Sequence, residues 1–327
     1  MKDIAPALLA WYEVNKRPLP WREDPTPYRV WISEIMLQQT RIEAARGYFE
    51  RFMTALPDVY ALAAADEDTV LKLWEGLGYY SRARNLRRAA KCIVSEYGGE
   101  FPETAAKLMK LPGIGAYTAG AIASIAFGHA APAVDGNVLR VHARLTRSAA
   151  DIGEARLRDA VAKELLSIWP EGHSADFTSA LMELGETVCV PGSPACMLCP
   201  LSALCEAHAA GEERLYPVMP AKKPRRVEEK NILLYLRGDR AAVCKRPEKG
   251  LLAGLWGFPE GAVPPDAEQV CEAVHIFTHV EWHMKGWLCR ESEPPEGCVF
   301  VTADERAALA VPTAYRAFVR VLENMGY

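Results

Sequence analysis

Four cysteines fall within seventeen residues, in the spacing Cys189-x6-Cys196-x2-Cys199-x5-Cys205. Four thiolates that close converge on one tetrahedral centre if the backbone loops tightly, and Pro191, Gly192, Pro194 and Pro200 favour such looping. Zinc and a [4Fe–4S] cluster both accept four cysteines. Zinc sites usually pair their ligands as two short knuckles, whereas only one C-x2-C pair exists here. The spacing therefore favours the iron–sulfur cluster, with zinc as the alternative. The remaining cysteines, Cys92, Cys244, Cys271, Cys289 and Cys298, are scattered and read as packing residues.

A chain of 327 residues suggests two domains. Up to about residue 211, apolar residues recur at three- and four-residue spacing with turn signals between them, which predicts a mainly α domain. The segment 212–229 carries three prolines and dense charge of both signs and reads as a linker. From 230 to 327 the runs NILLYL, AAVCK, AVHIFTH and EWHMKGWLC have strand character and AVPTAYRAFVRVLENM closes as a helix, so a smaller α+β domain is expected. Leu111–Val134 lacks Asp, Glu, Lys and Arg, but Pro112, Gly113, Gly115, Gly128 and Pro132 break it, and a hairpin before a close-packed helix explains it better than a membrane span. The N-terminus lacks the apolar core and cleavage site of a secretory signal. A soluble, monomeric, cytoplasmic protein without membrane contact is expected.

The net charge of -4 speaks against a nucleic-acid binder. Its distribution speaks for one. In LPGIGAYTAG, Gly113 and Gly115 flank Ile114 directly before a helix, so backbone N–H groups and the helix N-terminus can face a phosphate while Leu111 and Ile114 anchor the turn. This is the pattern of a helix–hairpin–helix, which grips DNA without reading its sequence. Two acid-free basic runs flank it. One follows Tyr79 and Tyr80 and holds Arg82, Arg84, Arg87, Arg88 and Lys91; the other places Arg140, Arg144 and Arg147 on one helical face.

Two carboxylates suggest chemistry. Glu34 lies among Trp31, Ile32, Ile35, Met36 and Leu37, where burial would raise its pKa enough to donate a proton near neutral pH. Asp135 ends the long uncharged run before a helix, where it is either an N-cap or an ionised group beside a developing cation. Glycosidic-bond cleavage needs one acid of each kind.

The combination resembles the endonuclease III superfamily of DNA glycosylases, and most closely its MutY-type adenine DNA glycosylases. The matching motifs are Pro20-Trp21-Arg22, SEIMLQQT from Ser33 to Thr40, GLGYYSRARNL from Gly76 to Leu86, LPGIG, Val134-Asp135-Gly136-Asn137-Val138 and the cysteine loop 189–205. The resemblance is dense to about residue 210 and looser beyond. It implies a helix–hairpin–helix glycosylase domain with a [4Fe–4S] cluster loop, followed by a Nudix-like domain. By position, Glu34 is the general acid toward adenine N7 and Asp135 the carboxylate at the sugar cation. Asn137 and Tyr117 hold the reaction centre. Gln39 and Tyr79 wedge into the duplex, with Arg22, Thr40, Arg82, Arg84, Gly113 and Gly115 at the DNA. The four cysteines hold the cluster, and their loop is expected to turn basic side chains to DNA. The partner implied is double-stranded DNA with A·8-oxoguanine or A·G mispairs.

Tyr117 stands where strand-cleaving relatives carry a Schiff-base lysine, which implies base excision without strand cleavage. After Trp256-Gly257-Phe258-Pro259 the carboxylate-rich magnesium motif of hydrolytic Nudix domains is absent, so pyrophosphatase chemistry is not expected. Phe277-Thr278-His279 replaces the family's Phe-Ser-His turn that contacts 8-oxoguanine, and Ser179 stands where some relatives carry Glu or Gln. The competing readings are a bifunctional glycosylase with lyase activity and a non-catalytic DNA-binding protein.

Overall fold

The computed structural model describes residues 2–220, 224–290 and 292–327. The chain divides into two compact units. One comprises Met1–Ala64 and Arg88–Ala221; the other comprises Ala65–Arg87 together with Lys222–Tyr327. A helical segment from the middle of the first half thus belongs to the C-terminal unit, which no composition change announces.

The first unit is helical. Its helices start where capping chemistry allows. Thr26 caps Pro27–Leu37, with Pro27 at the first helical position, and Asp135 caps Gly136–Leu145 by accepting from the Val138 N–H at 2.8 Å. Helices Ala5–Asn15, Gly136–Leu145 and Ser174–Thr187 share a core around Leu8, Tyr12, Leu139, Phe177 and Leu184. Helix Ala116–Ile125 is buried from Thr118 to Ser124. Gly120 lets it lie against the extended segment that leads to Asp135, since a Cβ there would sit 2.3 Å from the Pro132 carbonyl oxygen. The hairpin before it forms as expected: Leu111 and Ile114 are buried and Gly113 takes a φ of 76°.

The second unit is built on a mixed sheet of β1 (Arg226–Arg237), β2 (Arg240–Lys245), β3 (Trp256–Gly257), β4 (Glu268–Ile276), β5 (Val280–Cys289) and β6 (Cys298–Val301). The strand order is β3-β2-β1-β5-β4, with β6 paired to β2; β1 and β5 are parallel and the other pairs antiparallel. Ile232, Leu234, Trp282 and Met284 meet Tyr315, Phe318 and Leu322 of the C-terminal turn and helix in the core. β1 begins at Arg226, inside the segment read as linker. Cys244 and Cys298, expected as packing residues, are joined in a disulfide, because register sets them opposite each other on β2 and β6.

Within this unit the Ala65–Arg87 segment is bonded to the sheet side. Lys72 Nζ donates to the Leu309 carbonyl at 3.0 Å, the Val311 N–H donates to Glu75 Oε1 at 2.9 Å, and Lys245 pairs with Asp68 at 2.8 Å.

Candidate active site

A cleft of about 800 Å³ in the first unit is lined by Glu34, Tyr117, Asp135, Asn137 and Arg22, with Ser179, Met182 and Glu186 on one wall. Four separate segments converge here, so Glu34 and Asp135, a hundred residues apart in the chain, share one cavity.

Glu34 is 6% exposed. Its Oε2 accepts a hydrogen bond from the Tyr117 hydroxyl at 2.5 Å. Burial pushes its carboxyl up to about 7, against the lowering effect of the Tyr117 bond; the negative charges of Asp135 and Glu186 add to the rise. Burial and the same carboxylates lift the Tyr117 phenol well above its ordinary range, so it serves as a donor.

Asp135 meets the first alternative directly. It is a helix cap and it lines the cavity. Oδ1 takes the Val138 N–H, and Oδ2 takes Asn137 Nδ2 at 2.8 Å. Burial raises its pKa and these hydrogen bonds oppose the rise, so a dedicated donor set favours its charged form. Asn137 Oδ1 in turn accepts from Arg140 Nη2 at 2.7 Å, and Arg140 reaches the Gly185 and Cys189 carbonyls at 2.8 Å each.

Arg22 lies at the cavity through a different network. Glu183, fully buried, accepts from Arg22 Nη2 at 2.8 Å and from Arg17 Nε at 2.6 Å and Nη2 at 2.9 Å. This ties the Pro20-Trp21-Arg22 segment to the Ser174–Thr187 helix. Gln39 is exposed with a φ of 59°, in the turn that also holds Thr40. In the second unit Tyr79, 46% exposed, has a φ of 47°. Left-handed backbone is costly for side chains of this size and concentrates at functional positions. The Tyr79 and Thr278 hydroxyls lie 2.6 Å apart. Both line a second cavity of about 470 Å³ with Arg84, His275, Phe277 and His279, on the β4–β5 turn and the facing helical segment of the same unit.

Several basic residues expected at DNA are engaged internally instead. Arg82 is buried over Trp74, donating to the Leu77 and Gly78 carbonyls, and Arg84 donates to the Ala253 carbonyl. Arg140 and Arg144 are buried and Arg147 pairs with Glu212 at 2.7 Å, so the 140–147 run is no open basic face. Their periodicity was visible in sequence; the carbonyls and carboxylates waiting for them were not. Nor does the cysteine loop turn basic side chains outward, since Cys189–Cys205 contains no Lys or Arg. Its exposed tip is Met197 and Leu198.

Cys189, Cys196, Cys199 and Cys205 line one small cavity with Arg144, His208 and Glu213. Arg144 Nη1 donates to Cys189 Sγ at 3.2 Å. Burial pushes the Cys199 thiol up to about 11, so a bound cation is needed to hold it as thiolate. Cys196, His208 and Glu213 also form a group whose ligand atoms lie within 4.8 Å of one another. The donor set suits a metal centre. Glu186, Arg17 and Met182 escaped the sequence reading; the spacing of 179, 182 and 186 puts three side chains on one helix face, but any amphipathic helix shows such spacing and it marks no site.

A family model described as HhH-GPD superfamily base excision DNA repair protein matches residues 32–171, and a NUDIX domain model matches 231–321. An adenine DNA glycosylase of Rattus norvegicus is 33% identical, covering 97% of this chain and 77% of its own length. One of Arabidopsis thaliana is 37% identical over 85% of this chain, which spans 56% of that longer protein. The solved structure of a trapped endonuclease III–DNA covalent intermediate aligns with a TM-score of 0.54 at 26% identity, covering 64% of this chain and 96% of that one. With 33% identity along nearly its whole length to a relative of that name, the chain belongs to the adenine DNA glycosylase family.

Proposed function

We propose that this protein excises adenine mispaired with 8-oxoguanine, or with guanine, from double-stranded DNA, as a monofunctional glycosylase of base excision repair. The observation that carries the reading is the pairing of a buried, protonatable Glu34 with a hydrogen-bonded Asp135 in one cavity. The adenine nucleotide must leave the stack to reach them, and Gln39 and Tyr79, exposed and held in strained backbone, fit the task of filling the gap. Glu34 donates its proton to N7, the C1′–N9 bond breaks with its electrons passing to the base, and adenine leaves neutral. Asp135 stabilises or captures the cationic C1′. Water then supplies hydroxide to C1′, its proton returns to Glu34, and an abasic site remains.

Tyr117 offers no amine for a Schiff base, and its hydroxyl is bound to Glu34. Strand cleavage is therefore not supported. The Tyr79–Thr278 pair and the cavity with Phe277 and His279 support recognition of 8-oxoguanine in the C-terminal unit, Thr278 keeping the hydroxyl of the family's serine.

The four cysteines would hold a [4Fe–4S] cluster, which when bound supplies a rigid core to the 189–205 loop. Around it this chain offers Arg144 as donor to Cys189 Sγ. No described helix is long and apolar enough to cross a membrane, and thiolate ligands suit the reducing cytoplasm.

Single-turnover release of adenine from A·8-oxoguanine, A·G, A·C and A·T duplexes tests the reading. Free adenine from the first two, with strand breaks only after alkali, is expected. Tight binding without released adenine would make this a DNA-binding protein instead, and efficient borohydride trapping on a thymine-glycol duplex would favour the bifunctional alternative.

A further inference from the structure

We propose that Glu186 is a second anion directed at the cationic sugar, acting beside Asp135 when the glycosidic bond breaks. The inference rests on the glycosylase function proposed above and deepens the same cavity. Gly185 packs so closely on Asn137 that a Cβ would lie 2.6 Å from Asn137 Cβ, which brings the next residue on the Ser174–Thr187 helix beside the Asn137–Asp135 pair. Glu186 lines the cavity with its side chain 32% exposed, open to a ligand yet fixed in place.

Arg17 does the fixing. Its Nη2 donates to Glu186 Oε2 at 2.6 Å, while Nε and the same Nη2 hold the fully buried Glu183. Among the described residues Oε1 of Glu186 accepts no hydrogen bond. The carboxylate is therefore oriented by one oxygen and available through the other. Burial raises the Glu186 pKa and the charges of Glu183 and Asp135 add to the rise, while the Arg17 hydrogen bond and charge oppose it and favour the anion that the role requires. A carboxylate facing DNA would ordinarily be disfavoured by phosphate repulsion. In a partly dry cavity it is useful where positive charge develops, because the attraction is strongest in the transition state and needs no reorganisation. Asp135 is one such group, and the adjacent Glu186 adds a second field of the same sign. Of the other side chains on this wall, Ser179 and Met182 carry no charge, and Asp176 of the same helix also borders the cavity.

The test compares two duplexes carrying, opposite 8-oxoguanine, either a pyrrolidine abasic analogue with a protonated nitrogen in place of C1′ or its neutral tetrahydrofuran counterpart. The wild-type protein should bind the charged analogue more tightly. Glu186→Gln should lower the charged-to-neutral affinity ratio by about tenfold and slow adenine release by at least as much, with the neutral affinity held within about twofold. Glu186→Asp, which restores the charge, should recover most of the ratio. An unchanged ratio in Glu186→Gln overturns the proposal, and so does an equal weakening of both analogues, which would mark a structural role. A loss confined to adenine, absent with unsubstituted purine as leaving base and with the ratio intact, would make Glu186 a reader of the base and equally overturn it. Should the wild type release no adenine at all, the glycosylase reading fails first and visibly.

Discussion

At the scale of single residues, the site turns on where the proton of Glu34 resides. Its carboxyl is raised to about 7, so it is protonated below that pH and loses its proton above it. Excision should fall as pH rises through about 7, approaching tenfold per unit beyond, in single-turnover adenine release. Glu34→Gln should abolish excision by orders of magnitude at every pH while leaving duplex binding intact. The same shift has a stability counterpart of opposite benefit. Because the folded pKa lies above the ordinary 4.5, the folded state's preference for the proton is fully present below 4.5 and is lost as pH rises through about 7. Glu34→Gln removes that dependence. Measured by denaturant unfolding, it should gain up to about 3 kcal/mol on the wild type between pH 4.5 and 8. A wild type and variant with parallel stability profiles would show that Glu34 is not the buried acid. The burial of Glu34 and the capping position of Asp135 were legible because Glu34 stands alone in an apolar run and Asp135 precedes a helix. Glu186 was not legible. It stands in an ordinary helical stretch, and only the packing of Gly185 on Asn137 gives it a neighbour that matters.

At the scale of elements, helices meet the site where side chains are missing. Gly185 has no room for a methyl group against Asn137, and its carbonyl accepts from Arg140 at 2.8 Å. Gly185→Ala should push the Ser174–Thr187 helix off the Gly136–Leu145 helix, costing about 1–3 kcal/mol of stability. It should also slow excision by about tenfold or more, since Asn137 orients Asp135 and a displacement of even an ångström is felt at the reacting atoms. Thermal unfolding and single-turnover rates check the two effects together; a destabilised protein with full activity would separate Gly185 from the site. The cysteine loop shows how far spacing can be read. Four cysteines in sequence order declared a common centre, and the structure sets them around one cavity. What the spacing could not carry was the use of Arg140 and Arg144. Their periodicity reads as a basic face, yet carbonyl groups of a loop fifty residues away take up their donors.

At the scale of the whole molecule, the two units are not two consecutive stretches of chain. Ala65–Arg87 belongs with the sheet of residues beyond 222. Composition marks the change from helical to strand-forming sequence near 212–229, but a tertiary association of a mid-chain helical segment leaves no local pattern to read. The disulfide between Cys244 and Cys298 is hidden for the same reason, because it depends on strand register rather than on spacing. The association has a consequence for truncation. A chain ending at Pro220 would lose the groups that bind Lys72, Glu75, Asp68 and Arg84, namely the Leu309 carbonyl, the Val311 N–H, Lys245 and the Ala253 carbonyl. It would also lose Thr278, the partner of the Tyr79 hydroxyl. Local opening follows the loss of such contacts, so hydrogen exchange across the protected amides of 65–87 should quicken by about tenfold or more. Amides of Ala116–Ile125 and Gly136–Leu145, whose cores lie wholly in the other unit, should keep their protection. Unchanged exchange across 65–87 would show that the residues beyond 220 do not hold this segment. If it loosens as expected, the proposed recognition of 8-oxoguanine opposite adenine should weaken as well, because Tyr79 and the Phe277–His279 turn line one cavity.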